Sequence, residues 1–116
     1  MIRRSGEYRT EQREEMRCGK GTVTIEHFWE PKTEMRSHTR MCAKLTIPPG
    51  GSIGFHPHDA EEEIFVVIRG TAEADDNGEV VQLGVGDTLL TGNGDGHAIR
   101  CTSGEPLELL AVIATY

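Results

Sequence analysis

The sequence has no apolar segment long enough to cross a membrane. A membrane-spanning helix needs about 18 or more consecutive apolar residues, and no stretch of this chain approaches that length. The first residues also lack the apolar core and the small-residue cleavage site of a signal peptide. We therefore expect a cytoplasmic protein that does not bind membranes.

Cysteine and positive charge are both scarce. The three cysteines, Cys18, Cys42 and Cys101, are far apart and form no CxxC pair, which argues against a structural zinc knot and a disulfide framework. Acidic residues outnumber basic ones by 19 to 12, for a formal net charge of -7. Nucleic-acid-binding proteins present basic surfaces, so we expect no nucleic-acid partner.

Helical periodicity is missing from most of the chain, and its 116 residues suffice for a single domain. From about residue 21 onward, short runs of β-branched and alternating residues are separated by turn signals such as Asp76-Asn77-Gly78. Residues 64–68 form an unbroken apolar run, which is typical of a strand buried on both faces. This pattern predicts an all-β sandwich or barrel.

Residues 1–20 differ from the rest of the chain. Arginines such as Arg9, Arg13 and Arg17 alternate there with glutamates, which is typical of a solvated arm. One or two helical turns could form over residues 7–17, and phosphate binding by the arginines is the alternative to a purely solvated role. We therefore divide the chain into an N-terminal arm, residues 1–20, and a β-barrel domain, residues 21–116.

Three histidines and a glutamate form the most informative pattern. His56 and His58 are two residues apart, so an extended strand would present both rings on one face, about 7 Å apart at their Cβ atoms. Glu63 begins the buried apolar run, where an unpaired carboxylate is costly. His97 follows a glycine-rich loop at the head of another strand. Three imidazoles and one carboxylate suit one divalent transition metal ion: Mn, Fe, Ni, Zn or Cu.

Two segments carry a family resemblance. The segment Gly50–Gly70 reads G-x5-H-x-H-x4-E-x6-G and resembles the first motif of the cupin superfamily. The segment Gly86–Cys101 is similar to the second motif, with Gly92 in place of the usual proline and Cys101 in place of the usual asparagine. The resemblance covers residues 41–115 and implies a double-stranded β-helix, or jelly-roll barrel, of about six to eight strands. The metal ligands that it implies are His56, His58, Glu63 and His97.

Several assignments stay open at this point. Glu62 is the alternative to Glu63, although only Glu63 leaves six residues before Gly70; Glu62 could otherwise act as a base beside the ligands. Strand parity places Cys101 on the inward face with His97, either as a metal-facing thiol or as a small buried hydrophobe. No lysine or arginine is placed beside the metal by parity. The candidate pocket walls are Phe55, Phe65, Val67, Leu89 and Ile99.

The resemblance implies two classes of function. The first is a metal-dependent enzyme, of decarboxylase, dioxygenase, isomerase or lyase type, that acts on a small organic acid. The alternative is a non-catalytic module that binds a small molecule or a metal. No catalytic residue beyond the ligands can be assigned. Small cupins commonly pair, so we expect a homodimer, with either the apolar outer positions Ile64, Val66 and Ile68 or the N-terminal arm as a contact surface.

Overall fold

The computed structural model describes residues 1–116, and ten strands account for most of its regular structure. None of its helical segments is long and apolar enough to span a bilayer. The strands are β1 (Arg9–Glu14), β2 (Thr22–His27), β3 (Thr39–Ile47), β4 (Ser52–Pro57), β5 (Glu61–Arg69), β6 (Ala72–Asp76), β7 (Glu79–Leu83), β8 (Thr88–Gly92), β9 (Gly96–Cys101) and β10 (Leu107–Thr115).

These strands form two antiparallel sheets. The six-stranded sheet has the order β1-β2-β3-β10-β5-β8, and the four-stranded sheet has the order β4-β9-β6-β7. The expected all-β double-stranded β-helix is thereby confirmed. The ten strands exceed the expected six to eight. The sequence pattern did not predict β1 or β4 as separate strands.

The core lies between the two sheets and contains 18 buried apolar residues. β10 shows how the sequence builds it: Leu107, Leu109, Ala111 and Ile113 are at most 3% exposed, while the residues between them are only partly buried. This alternation follows from the two-residue period of a strand. β10 pairs with β3 on one side and β5 on the other, so it occupies the middle of the larger sheet.

The N-terminal arm does not have the helical turns considered for residues 7–17. Arg9–Glu14 instead form β1, which pairs antiparallel with β2, and a short 3₁₀ turn follows at Met16–Cys18. His27 Nε2 lies 2.7 Å from Glu11 Oε1 across this pair. Alternating arginine and glutamate suits an edge strand, because charged side chains discourage its exposed edge from pairing with a strand of another chain. The division of the chain at residue 20 stays a prediction.

Candidate metal centre

His56 and His97 are brought together by the pairing of β4 with β9. Their Cα atoms are direct partners in the register, and their ring centroids lie 4.8 Å apart. The register shifts between Ile53 and His56, and such an irregularity re-aims side chains near functional sites. Both rings are buried, with 7% and 1% exposure.

His58 lies immediately after the end of β4 rather than on it. Its backbone N–H donates to Asp95 O at 2.9 Å, and its carbonyl accepts a hydrogen bond from Gly94 N at 2.8 Å. The glycine-rich loop that precedes His97 is therefore hydrogen-bonded to His58. The His58 ring centroid lies 4.9 Å from that of His56 and 4.8 Å from that of His97, so the three rings converge as the sequence predicted.

Glu63 reaches the same point from β5 of the opposite sheet. Its side chain is buried, and Oε1 lies 3.0 Å from His58 Nε2 and 3.0 Å from His97 Nε2. Glu62 belongs to the other face of β5 and makes no side-chain hydrogen bond or ion pair; its Cβ packs beside Gly92. Of the two glutamates considered from the sequence, Glu63 is the one that joins the histidines.

Three distances in the cluster are in the range expected between neighbouring ligand atoms of one metal ion. Two ligand atoms bound at about 2.1 Å and at right angles lie about 3.0 Å apart, whereas a tetrahedral angle separates them by about 3.4 Å. The Glu63 Oε1 distances are both 3.0 Å, and His58 Nε2 lies 3.2 Å from His97 Nε2. One ligand atom from each of the four residues lies within 4.8 Å of the others, so the cluster could hold a metal ion.

Each histidine is oriented by a hydrogen bond at its Nδ1 atom. The Nδ1 partners, all at 2.8 Å, are Gly54 O for His56, Glu61 Oε2 for His58 and Thr91 Oγ1 for His97. A histidine that donates from Nδ1 keeps the lone pair of Nε2 for a metal. These contacts orient the rings, so that the Nε2 atoms of His58 and His97 face Glu63 Oε1.

Glu61 contacts the candidate site, and sequence reasoning did not predict this contact. It accepts from His58 Nδ1, and Arg40 in turn forms a two-point ion pair with it, at 3.1 Å and 2.8 Å. Its position three residues after His58, within a run of three glutamates, was the only available signal. Arg40 comes from β3, so nothing in the local sequence connects it with the site.

A Glu61→Ala variant should bind a divalent metal about 10- to 100-fold more weakly than the wild type, because His58 loses the carboxylate that orients it. Competition with a chromophoric chelator measures this affinity. Glu62→Ala is the matched control, since it removes the adjacent carboxylate without touching a histidine. Equal affinities for the two variants would contradict the role of Glu61.

Burial and hydrogen bonding set the charges in the cluster. Burial lowers the pKa of His56 below its ordinary value. The hydrogen bond with Glu63 raises the pKa of His58 and outweighs the opposing effect of burial. Burial also raises the pKa of Glu63, but hydrogen bonds from His58 and His97 outweigh it and keep that pKa below its usual range. Glu63 is therefore ionised, which is the state that binds a metal.

A cavity of about 30 Å³ adjoins the cluster, and three arginines are among the residues that line it. Arg13, Arg17 and Arg40 line it together with His56 and His58. The sequence assigned no basic residue to the site, and the structure identifies three arginines that line this cavity. Strand parity within the two motifs could not identify these arginines, because two of them come from the N-terminal arm and Arg40 lies on β3, outside the motifs.

The predicted pocket walls are only partly correct. Phe65 lines the cavity, and its ring stacks on His97 with centroids 4.9 Å apart. Phe55 is 53% exposed, because it alternates with the inward-facing His56. The other three residues are buried in the core without lining the cavity: Val67, Leu89 and Ile99.

Cys101 lies near the opposite end of β9 from His97. It is 2% exposed, as parity predicted, and its Sγ donates to Glu105 O at 3.3 Å. The thiol is not among the four residues of the cluster. Its surroundings fit the interpretation of Cys101 as a small buried hydrophobe.

Two facing antiparallel sheets that enclose three histidines and a glutamate define a cupin with a candidate metal centre. The family model described as "Cupin domain" matches residues 43–113, which is more than half of the chain. The chain therefore belongs to the cupin family.

The chain is similar along most of its length to proteins of Thermotoga maritima. It is 39% identical over 113 residues to an "Oxalate-binding protein", covering 97% of this chain and 93% of that protein. A crystal structure described as a predicted oxalate decarboxylase of the same organism has 37% sequence identity to this chain. The two structures superpose with a TM-score of 0.94, and the match covers 100% of both chains. The cupin domain of Schizosaccharomyces pombe Cnp3 shares the fold, at 12% identity and a TM-score of 0.74, over 91% of this chain and 69% of that one.

Proposed function

We propose that this chain binds one divalent transition metal ion and uses it to bind a small organic acid, with oxalate as the first candidate. The ligands of the ion are His56, His58, Glu63 and His97. When bound, the ion supplies Lewis-acid positions for carboxylate oxygens. The observation that carries the proposal is the convergence of one ligand atom from each of the four residues, beside a cavity that three arginines line.

Charge and size both favour a small anion. The protein as a whole carries a formal charge of -7, yet the cavity is lined by three arginines and by Glu63 as its single carboxylate. Arginine is well suited to carboxylate recognition because its planar guanidinium can donate two parallel hydrogen bonds. The cavity is small, about 30 Å³, which favours a compact ligand over a large one.

Binding of oxalate should depend on the metal. Protein purified without added metal is analysed for its elements, and oxalate is then titrated calorimetrically into the metal-loaded and chelator-treated forms. We expect at least about a tenfold weaker interaction after metal removal, since the ion supplies the strongest contacts. Equal binding by the two forms would contradict the proposal.

Catalysis by the same centre is the second candidate function. The description of the Thermotoga structure as a predicted oxalate decarboxylase favours it, and decarboxylase, dioxygenase, isomerase and lyase chemistries remain the candidate reactions. The cavity lining favours binding alone, because it offers no carboxylate, histidine or tyrosine other than the proposed ligands to transfer a proton. Assays of formate production and oxygen uptake with the identified metal separate the two functions.

The remaining expectations are a cytoplasmic location, no binding to nucleic acid or membranes, and a homodimer. We propose the outer face of the larger sheet as the dimer contact. Ile64 and Ile68 are 39% and 44% exposed there, and Leu90, the strand partner of Ile64, is 60% exposed. Sedimentation equilibrium tests the dimer, and a monomeric wild type would contradict it.

A further inference from the structure

The segment between β1 and β2 forms part of the wall of the candidate metal site. Arg13, Met16 and Arg17 line the same cavity as His56 and His58. These three residues precede the region matched by the family model, residues 43–113. The N-terminal segment therefore adds side chains to a site whose proposed metal ligands all lie in the matched region.

Arg17 differs from the other arginines at the cavity. Arg13 is paired with Glu11 at 3.2 Å, and Arg40 is paired with Glu61 at 2.8 Å. No side-chain hydrogen bond or ion pair within the chain involves Arg17, although the protein has 19 acidic residues. Arg17 is exposed, so its guanidinium donors are free to bind solvent or a ligand.

The backbone that carries Arg17 is strained. Glu15, Arg17 and Cys18 have φ values of 49°, 53° and 64°, in the left-handed region that side chains other than glycine rarely adopt. Such conformations persist where the surroundings fix them, and they cluster at ligand-binding sites. The strain indicates that the surrounding contacts hold this turn in place.

Two glycines supply those contacts. A Cβ atom at Gly54 would overlap the carbonyl oxygen of Arg17, and one at Gly19 would overlap the carbonyl oxygen of Ser52. The backbones of the turn and of β4 therefore touch directly. Lys20 N donates to Ser52 Oγ at 2.9 Å, and Ser52 N donates to Lys20 O at 2.9 Å.

This packing fixes Arg17 relative to the candidate metal ligands. Gly54, which lies against the Arg17 carbonyl, is two residues before His56 on β4 and accepts the hydrogen bond from His56 Nδ1. The same strand segment thus positions both a histidine of the cluster and the turn that carries the unpaired arginine.

We propose that Arg17 is the ligand-recognition residue of this site, and that it donates hydrogen bonds to a carboxylate of the bound acid. The inference rests on the proposed function, because it assigns the specificity of that same site. Arg17 selects dianionic acids over chelators of lower charge, since a guanidinium interacts most strongly with a carboxylate. The strained turn that carries Arg17 holds this side chain at the cavity.

The test compares Arg17→Gln with Lys20→Gln, both loaded with the metal found in the wild type. Lys20→Gln removes the same charge from the same segment, but Lys20 does not line the cavity. We expect Arg17→Gln to bind oxalate about 10- to 100-fold more weakly, with its metal affinity unchanged and its affinity for glycolate, a monoanion, reduced less. Arg17→Lys should recover part of the loss, because it restores the charge without the paired donors.

A second variant tests the presentation of Arg17. Gly19→Ala should displace the turn and weaken oxalate binding in the same direction without loss of metal. Gly104→Ala is its control, since a Cβ atom there meets nothing within 4 Å.

The outcomes separate the two proposals. Oxalate affinity that is unchanged in Arg17→Gln, with metal-dependent binding in the wild type, would overturn the role of Arg17 and leave the proposed function standing. If the wild type shows no metal-dependent binding of oxalate, both proposals fail. If Lys20→Gln loses as much affinity for oxalate as Arg17→Gln, the loss reflects general electrostatic attraction, and the role of Arg17 is also overturned.

Discussion

A His97→Ala variant is expected to lose its divalent metal, with an affinity at least about 100-fold below that of the wild type. His97 Nε2 lies 3.0 Å from Glu63 Oε1 and 3.2 Å from His58 Nε2, so its removal opens one side of the cluster. The ring is only 1% exposed, and no neighbouring side chain of the cavity can replace its nitrogen. Elemental analysis of the purified variant, followed by chelator competition, measures the loss.

His38→Ala is the control for this change. His38 is exposed and lies outside the cluster, so its replacement should leave the metal content equal to that of the wild type. Full metal retention in His97→Ala would remove the basis for the proposed centre. His56→Ala should behave like His97→Ala, because both rings belong to one cluster.

A Phe65→Ala variant should be strongly destabilised, by about 3–5 kcal/mol of unfolding free energy. Phe65 is 1% exposed in the core, and its ring stacks on His97 at an interplanar angle of 13°. The substitution therefore leaves a cavity and also removes the surface that supports the histidine. A loss of this size lowers the melting temperature of a domain this long by roughly 10–20 °C.

Denaturant unfolding of chelator-treated protein measures how much Phe65 contributes to the unfolding free energy through core packing, without any contribution from bound metal. Phe55→Ala removes the same side chain from a site that is 53% exposed, and its cost should be clearly smaller. If the two variants were equally stable, Phe65 would not be the core anchor that its burial indicates. Weaker metal binding by folded Phe65→Ala would support its role beneath His97.

The four residues of the cluster could be named from the sequence because two segments resemble the cupin motifs, and the resemblance implies these ligand positions. The spacing of His56 and His58, and the position of Glu63 at the start of an apolar run, agreed with that resemblance. Glu63 was preferred to Glu62 because only Glu63 leaves six residues before Gly70, and in the structure the two side chains lie on opposite faces of β5. The fold brings one ligand atom from each of these four residues within 4.8 Å of the others.

The residues that surround the cluster could not be found in the same way. Glu61 acts through His58 but is paired with Arg40, 21 residues earlier. Arg17 reaches the cavity from a segment whose composition is typical of a solvated arm. Charge alternation in that segment predicted exposure correctly for most side chains, but it carried no information on where β1 would pair.

The sequence by itself determined the all-β class, the inward-facing residues of the strands and the identity of the candidate ligands, because these depend on the two-residue period and on motif spacing. Only the tertiary structure decided which sheet each ligand comes from, which partners orient the histidines, and which arginines stand at the cavity. Those features depend on strand register and on backbone contacts such as Gly54 with Arg17. Turn geometry fixes the register of strands that a short hairpin joins, but β4 and β9 are about forty residues apart in the sequence, so no turn between them predicts how they pair.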